Sequence, residues 1–163
     1  MKEEINLNHF ANKTANYKSF IKQIKGLIAG ENNSIANIGN ILSAYKYGFN
    51  HFWVGIYLVQ NNELILNLFQ GPIACTRIKK GKGVCGSSWQ NNEVIVVPDV
   101  EKFPGHIACS SASKSEIVLP LHNNLGKVIG VLDIDSEFLN SFDQIDVEYL
   151  TIIAKLIENE YAK

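Results

Sequence analysis

Apolar residues early in the chain recur at helical spacing. Tyr17, Phe20, Ile21, Ile24, Leu27 and Ile28 fall on one face, and Gly30 ends the run, which predicts an amphipathic helix. A second helical segment opens after Asn33 or Ser34, both good N-caps. It carries Ile35, Ile38, Ile41, Leu42 and Tyr45 and stops at Gly48. From His51 the pattern changes. His51-Phe-Trp-Val-Gly-Ile-Tyr-Leu-Val59 is rich in aromatic and β-branched residues, turns at Gln60-Asn-Asn62 and returns as Glu63-Leu-Ile-Leu-Asn-Leu-Phe69, the signature of a hairpin. Residues 70–92 are glycine-rich, with one short helix expected near Gly83 to Gln90. Val94-Ile-Val-Val97 reads as a strand closed by Pro98-Asp99, and residues 99–114 as a polar loop. Ile117-Val-Leu-Pro-Leu121 and Lys127-Val-Ile-Gly-Val-Leu-Asp-Ile134 form a second hairpin around His122-Asn-Asn-Leu-Gly126. Ser141 with Gln144 predicts a capping box for a last helix whose stripe is Ile145, Tyr149, Ile152, Ile153 and Leu156.

Strands joined by tight turns imply an antiparallel sheet, so the expected fold is α+β, with helices packed on one face of a central sheet. The parts are N-terminal helices over 1–48, sheet and loops over 51–135, and a C-terminal helix over 141–161. The chain has 163 residues, enough for one domain with its own core and too few for two ordinary ones. Fifteen basic against sixteen acidic residues give a net charge of −1, so no whole-chain field advertises nucleic acid or an anionic membrane. The start lacks the order of a secretory signal, and no apolar run approaches the about 18 residues of a membrane span. A cytoplasmic protein is expected, with its three cysteines held as reduced thiols.

Several strings carry candidate chemistry. Gly81-Lys-Gly83-Val-Cys-Gly86 matches a dinucleotide fingerprint, but no apolar parallel strand precedes it and the acid expected about 20 positions on is missing. It reads better as a loop that lets backbone approach a small ligand. Asp133-Ile-Asp135 ends an apolar run and fits either a solvated strand end or a pair that recognises a cation. Cys75, Cys85 and Cys109 all lie in glycine- or serine-rich connections, with Arg77, Lys82, His106 and Lys114 near in sequence. Such cations lower a thiol pKa from about 8.5, where only about 3% is thiolate at pH 7. Zinc competes for these residues, with His106 and His122 as further ligands, but the cysteines lack the close spacing of a zinc knuckle. No metal and no bound cofactor are expected.

At the strings Trp53-Val-Gly-Ile-Tyr57, Phe69-Gln-Gly-Pro-Ile-Ala-Cys-Thr-Arg77, Gly83-Val-Cys-Gly86, Phe103-Pro-Gly-His-Ile-Ala-Cys109, Ser113-Lys-Ser-Glu-Ile117 and Gly130-Val-Leu-Asp-Ile-Asp-Ser136, the chain resembles the free methionine-(R)-sulfoxide reductases, a family of GAF-domain enzymes. The resemblance runs from about residue 50 to 145 and implies a single GAF-like domain with an active-site loop region on the face opposite the helices. It also implies an attacking Cys109, a resolving Cys75 and a lesser or alternative resolving part for Cys85. A sulfenic acid on the attacking cysteine would condense to a disulfide, with thioredoxin or another dithiol as external reductant. Glu116, Asp133 and Asp135 resemble the family's substrate carboxylates, and either Asp133 or Glu116 would donate a proton to the sulfoxide oxygen. Trp53 and Tyr57 share one strand face and would wall the S-methyl group. Arg77, or the amides after Gly81 and Gly83, would take the substrate carboxylate. The implied substrate is free methionine sulfoxide, and a homodimer is expected. The alternative from another class is a GAF-type small-ligand-binding or redox-sensing module.

Overall fold

A computed structural model describes residue 5 and residues 12–107 and 109–163. Two helices come first, α1 (Lys13–Ile28) and α2 (Ser34–Phe49), followed by the hairpin β1 (Trp53–Gln60) and β2 (Glu63–Gln70). A three-residue strand β3 (Arg77–Lys79), helix α3 (Gly83–Asn91) and strand β4 (Ile95–Val97) follow. The hairpin β5 (Ser115–His122) and β6 (Val128–Ser136) then leads to α4 (Gln144–Tyr161). Among the described residues no helix is long and apolar enough to cross a membrane.

The helix ends follow local chemistry. Asn12 and Asn33 cap α1 and α2 by accepting from the amides of Ala15 and Ala36, each satisfying a donor that the first turn leaves free. Helix α2 runs one residue past the expected stop at Gly48, because Asn50 takes the left-handed C-cap and Phe49 packs its ring on Tyr17 and Tyr45. The expected Ser141–Gln144 capping box is replaced by one of two aspartates. Asp143 accepts from the amides of Ile145 and Asp146, while the Asp146 carboxylate accepts from the amide of Asp143. Ser141 is engaged instead in the preceding turn, donating to Ser136 Oγ. With the start so placed, α4 buries Tyr149, Leu150, Ile153, Ala154 and Ile157, and Ile152 is exposed, a stripe rotated from the expected one.

Six strands pair antiparallel in the order β3-β2-β1-β6-β5-β4. Strand β3 went unforeseen because Ile78 is its only apolar residue, between Arg77 and Lys79, and three residues carry no alternation. Side chains alternate across the central strands. Val54 and Ile56 of β1, Ile117 and Leu119 of β5, and Leu132 and Ile134 of β6 form one core with α1, α2 and α4. The other face carries Trp53, Tyr57, Val118 and Val131, packed under α3 with Cys85 and Trp89. The helices thus cover one face as expected, with the short α3 belonging to the loop side.

Candidate functional site

Register builds the floor of the loop-side cavity. Residues directly opposite across a ladder point to the same face, so Trp53, Asp135 and Glu116 form one row and Gly55, Asp133 and Val118 the next. The sequence-predicted acids therefore come from two adjacent strands at one end of the sheet, with Trp53 and Tyr57 beside them. All five line one cavity of about 50 Å³, together with Cys85, Cys109, Lys82, His106 and Ser113.

The aromatic wall needs bare backbone beneath it. The Trp53 indole lies over Gly55 and against Gly71, and a Cβ on Gly55 would run into the indole and into Phe69. Gly71 also sits at φ +144, a conformation that favours glycine. Trp53 Nε1 donates to the carbonyl of Pro72 at 3.1 Å, and the Tyr57 hydroxyl donates to the carbonyl of Cys75 at 3.0 Å. Both aromatic side chains thus tie the Gly71–Thr76 loop to the sheet.

Cys75 and Cys109 are joined by a disulfide, with Cα atoms 5.4 Å apart, within the range such a bond requires. Cys109 is exposed and Cys75 half-buried. Cys85, by contrast, is a buried free thiol in the first turn of α3, 3.9 Å from Glu116 Oε1. The structure thus separates one disulfide-linked pair, with Cys109 exposed and Cys75 half-buried, from one thiol sealed among acids.

Electrostatics follow from that enclosure. Burial, with the neighbouring Asp133 and Asp135 charges adding to it, holds the Glu116 carboxyl well above the usual range. Burial and then Asp135 do the same to Asp133. The Asp135 carboxyl is pushed up to about 6 by burial, against the opposing hydrogen bond from the Ser113 hydroxyl. Burial, then the charges of Asp133 and Glu116, raises the Cys85 thiol. His106 Nε2 stands 3.9 Å from Glu116 Oε2, and burial lowers its pKa. Burial and mutual repulsion thus favour the protonated forms of Glu116 and Asp133, and Asp135, at about 6, is the acid of the three readiest to ionise near neutral pH.

Of the cations expected to activate a thiol, two are elsewhere. Arg77 pairs with Glu63 on the outer edge, and Lys114 pairs with Glu101. Arg77 is therefore no ligand for a carboxylate in this cavity, whereas Lys82 and Gly83 line it. Helix α3 begins there with no side-chain cap, and its first residues line the cavity, which puts the positive end of the helix beside it. His122 is also remote from the cysteines, held between Glu158 and Asn92. Ser113 and its bond to Asp135 were missed by sequence reasoning. The signal was present, since Ser113 opens the Ser113-Lys-Ser-Glu-Ile117 string, but only register brings it to the acid.

Comparison with known proteins is consistent with this geometry. Residues 44–159 match the GAF domain family. The chain is 59% identical over 160 residues to GAF domain-containing protein A of Dictyostelium discoideum, covering 98% of this chain and 100% of that protein. It is 40% identical to the free methionine-R-sulfoxide reductase of Saccharomyces cerevisiae, over 95% of this chain and 91% of that one. Among solved structures, free methionine-R-sulfoxide reductase from Neisseria meningitidis in complex with its substrate superposes with a TM-score of 0.88 at 48% identity, covering 93% of this chain and 91% of that one.

Proposed function

The chain belongs to the GAF-domain family of free methionine-R-sulfoxide reductases, and on that premise we propose that it reduces free L-methionine (R)-S-oxide to L-methionine. The observation that carries the reading is the Cys75–Cys109 disulfide beside a cavity floored by Glu116, Asp133 and Asp135. A disulfide between these two cysteines is what a two-thiol reduction leaves behind, which supports the reading.

The steps balance with two thiols and no bound cofactor. The Cys109 thiolate attacks the sulfoxide sulfur. The S–O bond to the substrate breaks as oxygen passes to Cys109, a proton is delivered, and methionine leaves a sulfenic acid behind. The Cys75 thiol attacks that sulfenic sulfur, water leaves, and the disulfide forms. An external dithiol, thioredoxin in this proposal, returns both cysteines to thiols. A protonated Glu116 or Asp133 supplies the proton, because burial raises both carboxyls and so favours the neutral form that the step needs near the developing oxyanion. Asp135, which ionises at about 6, takes the substrate ammonium, and the first amides of α3 with Lys82 take its carboxylate. Trp53 and Tyr57 wall the methyl group.

Restriction to the free amino acid follows from the same groups. A peptide-linked methionine brings no ammonium, so a buried carboxylate would lose its counter-charge at a cost of several kcal/mol, about 3–5 by analogy with broken buried pairs. The test is an assay with the separated epimers of free methionine sulfoxide, thioredoxin, its reductase and NADPH. Methionine formation from the R epimer, little from the S epimer and none from a methionine-sulfoxide peptide is expected. Absence of turnover with the R epimer overturns the reading. The proposal includes a homodimer in the cytoplasm, and sedimentation equilibrium checks the dimer.

A further inference from the structure

Cys85, Glu116 and Asp133 come from α3, β5 and β6, yet the sulfur and a carboxylate oxygen of each acid all lie within 4.8 Å of one another. Each residue is less than a tenth exposed. Asp133 Oδ1 is buried with no hydrogen-bond partner among the described residues, and Asp133 lines the cavity. A buried acceptor left alone is unfavourable, so this oxygen favours a ligand that supplies positive charge.

We propose that the trio is a binding site for a borderline-soft divalent cation of the Zn²⁺ or Cd²⁺ class. One thiolate and two carboxylates suit those ions, whereas Mg²⁺ and Ca²⁺ want oxygen ligands in larger number. With Zn–S near 2.3 Å and Zn–O near 2.1 Å, a tetrahedral ion places its sulfur and oxygen ligands about 3.6 Å apart. The observed 3.9 Å from Cys85 Sγ to Glu116 Oε1 needs only a small closure. A cavity of about 50 Å³ leaves room for a water in the fourth position, since one water occupies about 10–15 Å³ on this measure. As the coordinate bonds form, the protons of the thiol and of whichever acids carry them leave to solvent.

The cysteine spacing that argues against a zinc knuckle does not bear on this trio, which uses one cysteine and two acids joined only by the fold. Its consequence rests on the reductase reading. An ion held there occupies the region of the proton donor and the substrate ammonium, and so inhibits turnover in competition with substrate.

The experiment uses the full chain with the Cys75–Cys109 disulfide intact, so that Cys85 is the one thiol left among the three cysteines. Zn²⁺ alone is titrated in competition with a chromophoric chelator. One equivalent per chain is expected, weakened about tenfold or more by Cys85→Ala, by Asp133→Asn and by Glu116→Gln. Cd²⁺ adds an ultraviolet thiolate-to-metal absorption that Cys85→Ala removes. Thermal melting of each variant checks that it is folded, and with three variants the loss of one to misfolding leaves two that decide. No binding by the parent protein overturns the site, and so does one equivalent bound equally by all three variants. No substrate enters the titration. A protein that binds Zn²⁺ through the trio and reduces no sulfoxide keeps this site and loses the reductase.

Discussion

Both faces of the sheet bury an aspartate, and they treat it in opposite ways. On the helix-covered face Asp146, 3% exposed, is fully engaged. Its carboxylate accepts from Lys13 Nζ at 2.6 Å, from the Tyr17 hydroxyl at 2.7 Å and from the Asp143 amide at 2.7 Å, and Tyr17 continues the network to Tyr45 at 2.8 Å. On the loop-covered face Asp133, 6% exposed, keeps one oxygen unpartnered and sits among other acids. The first carboxylate ties α1, α2 and α4 together. The second is a cost that the surrounding fold carries. Burial alone says little about what a carboxylate is for, whereas the list of its donors separates a structural acid from one that awaits a ligand.

The largest break in this comparison comes from the thiols. Cys109→Ser removes the attacking sulfur and should lower turnover by about 10³-fold or more, with no single stoichiometric reduction left. Cys75→Ser should retain one equivalent of methionine per chain and lose thioredoxin-driven recycling. Quantifying methionine with and without thioredoxin separates the two, and continued cycling by Cys75→Ser would reassign the resolving thiol to Cys85. Neither substitution touches the Asp146 network, so both variants should keep the wild-type thioredoxin-independent fold and a normal near-ultraviolet circular dichroism spectrum.

Exchange of the two aspartates sharpens the contrast. Asp146→Asn strips the charge that Lys13, Tyr17 and the helix start all point at, and should cost about 2–4 kcal/mol in urea unfolding. Activity per folded molecule should be unchanged. Asp133→Asn should do the reverse, lowering kcat/KM by about 10²-fold while leaving the urea midpoint little changed, because burial already favours the uncharged form of this acid and the amide is uncharged too. A large stability loss in Asp133→Asn would place that residue with Asp146 as part of the scaffold.

The two faces also differ in how much of them the sequence reveals. Periodicity marks the helices and both hairpins, because amphipathic stripes and alternating strands are local patterns. The motif strings name the cysteines and acids. Hidden features are those that pairing alone creates. The Asp143–Asp146 capping box competes with an equally plausible Ser141–Gln144 string two residues earlier, and only the turn that occupies Ser141 decides between them. The bond from Ser113 to Asp135 crosses from the loop before β5 to the end of β6, a proximity with no sequence period. Asp133 and Asp135 look equivalent as a string, yet one is left with an orphan oxygen and the other is held by a hydroxyl.

The smallest expected effect lies in the pH dependence of stability, where one residue from each face pulls in an opposite direction. On the helix side His51 stacks on Tyr45 and Phe142. Burial, then the charges of Lys13 and Lys46, lowers its pKa from 6.5 to about 4. The unfolded chain therefore binds its proton more readily, so this residue's contribution is present above pH 6.5 and is lost as pH falls toward 4. On the loop side Asp135 is raised from 3.8 to about 6. Here the folded chain binds the proton more readily, so its contribution is present below pH 3.8 and is lost as pH rises through 6. Urea unfolding of the wild type, His51→Phe and Asp135→Asn from pH 4 to 7 tests this. His51→Phe, which keeps the stacking ring, should gain on the wild type as pH falls. Asp135→Asn should gain on it as pH rises, each by on the order of 1–2 kcal/mol across the window. Asp135→Asn also removes the charge that helps to raise Glu116 and Asp133, so its difference from the wild type reads the whole acid cluster, whereas His51→Phe reads one group. Parallel curves for Asp135→Asn and wild type would mean that water or a counter-ion reaches the carboxylate in solution, and the contrast between the faces would then rest on Asp133 alone.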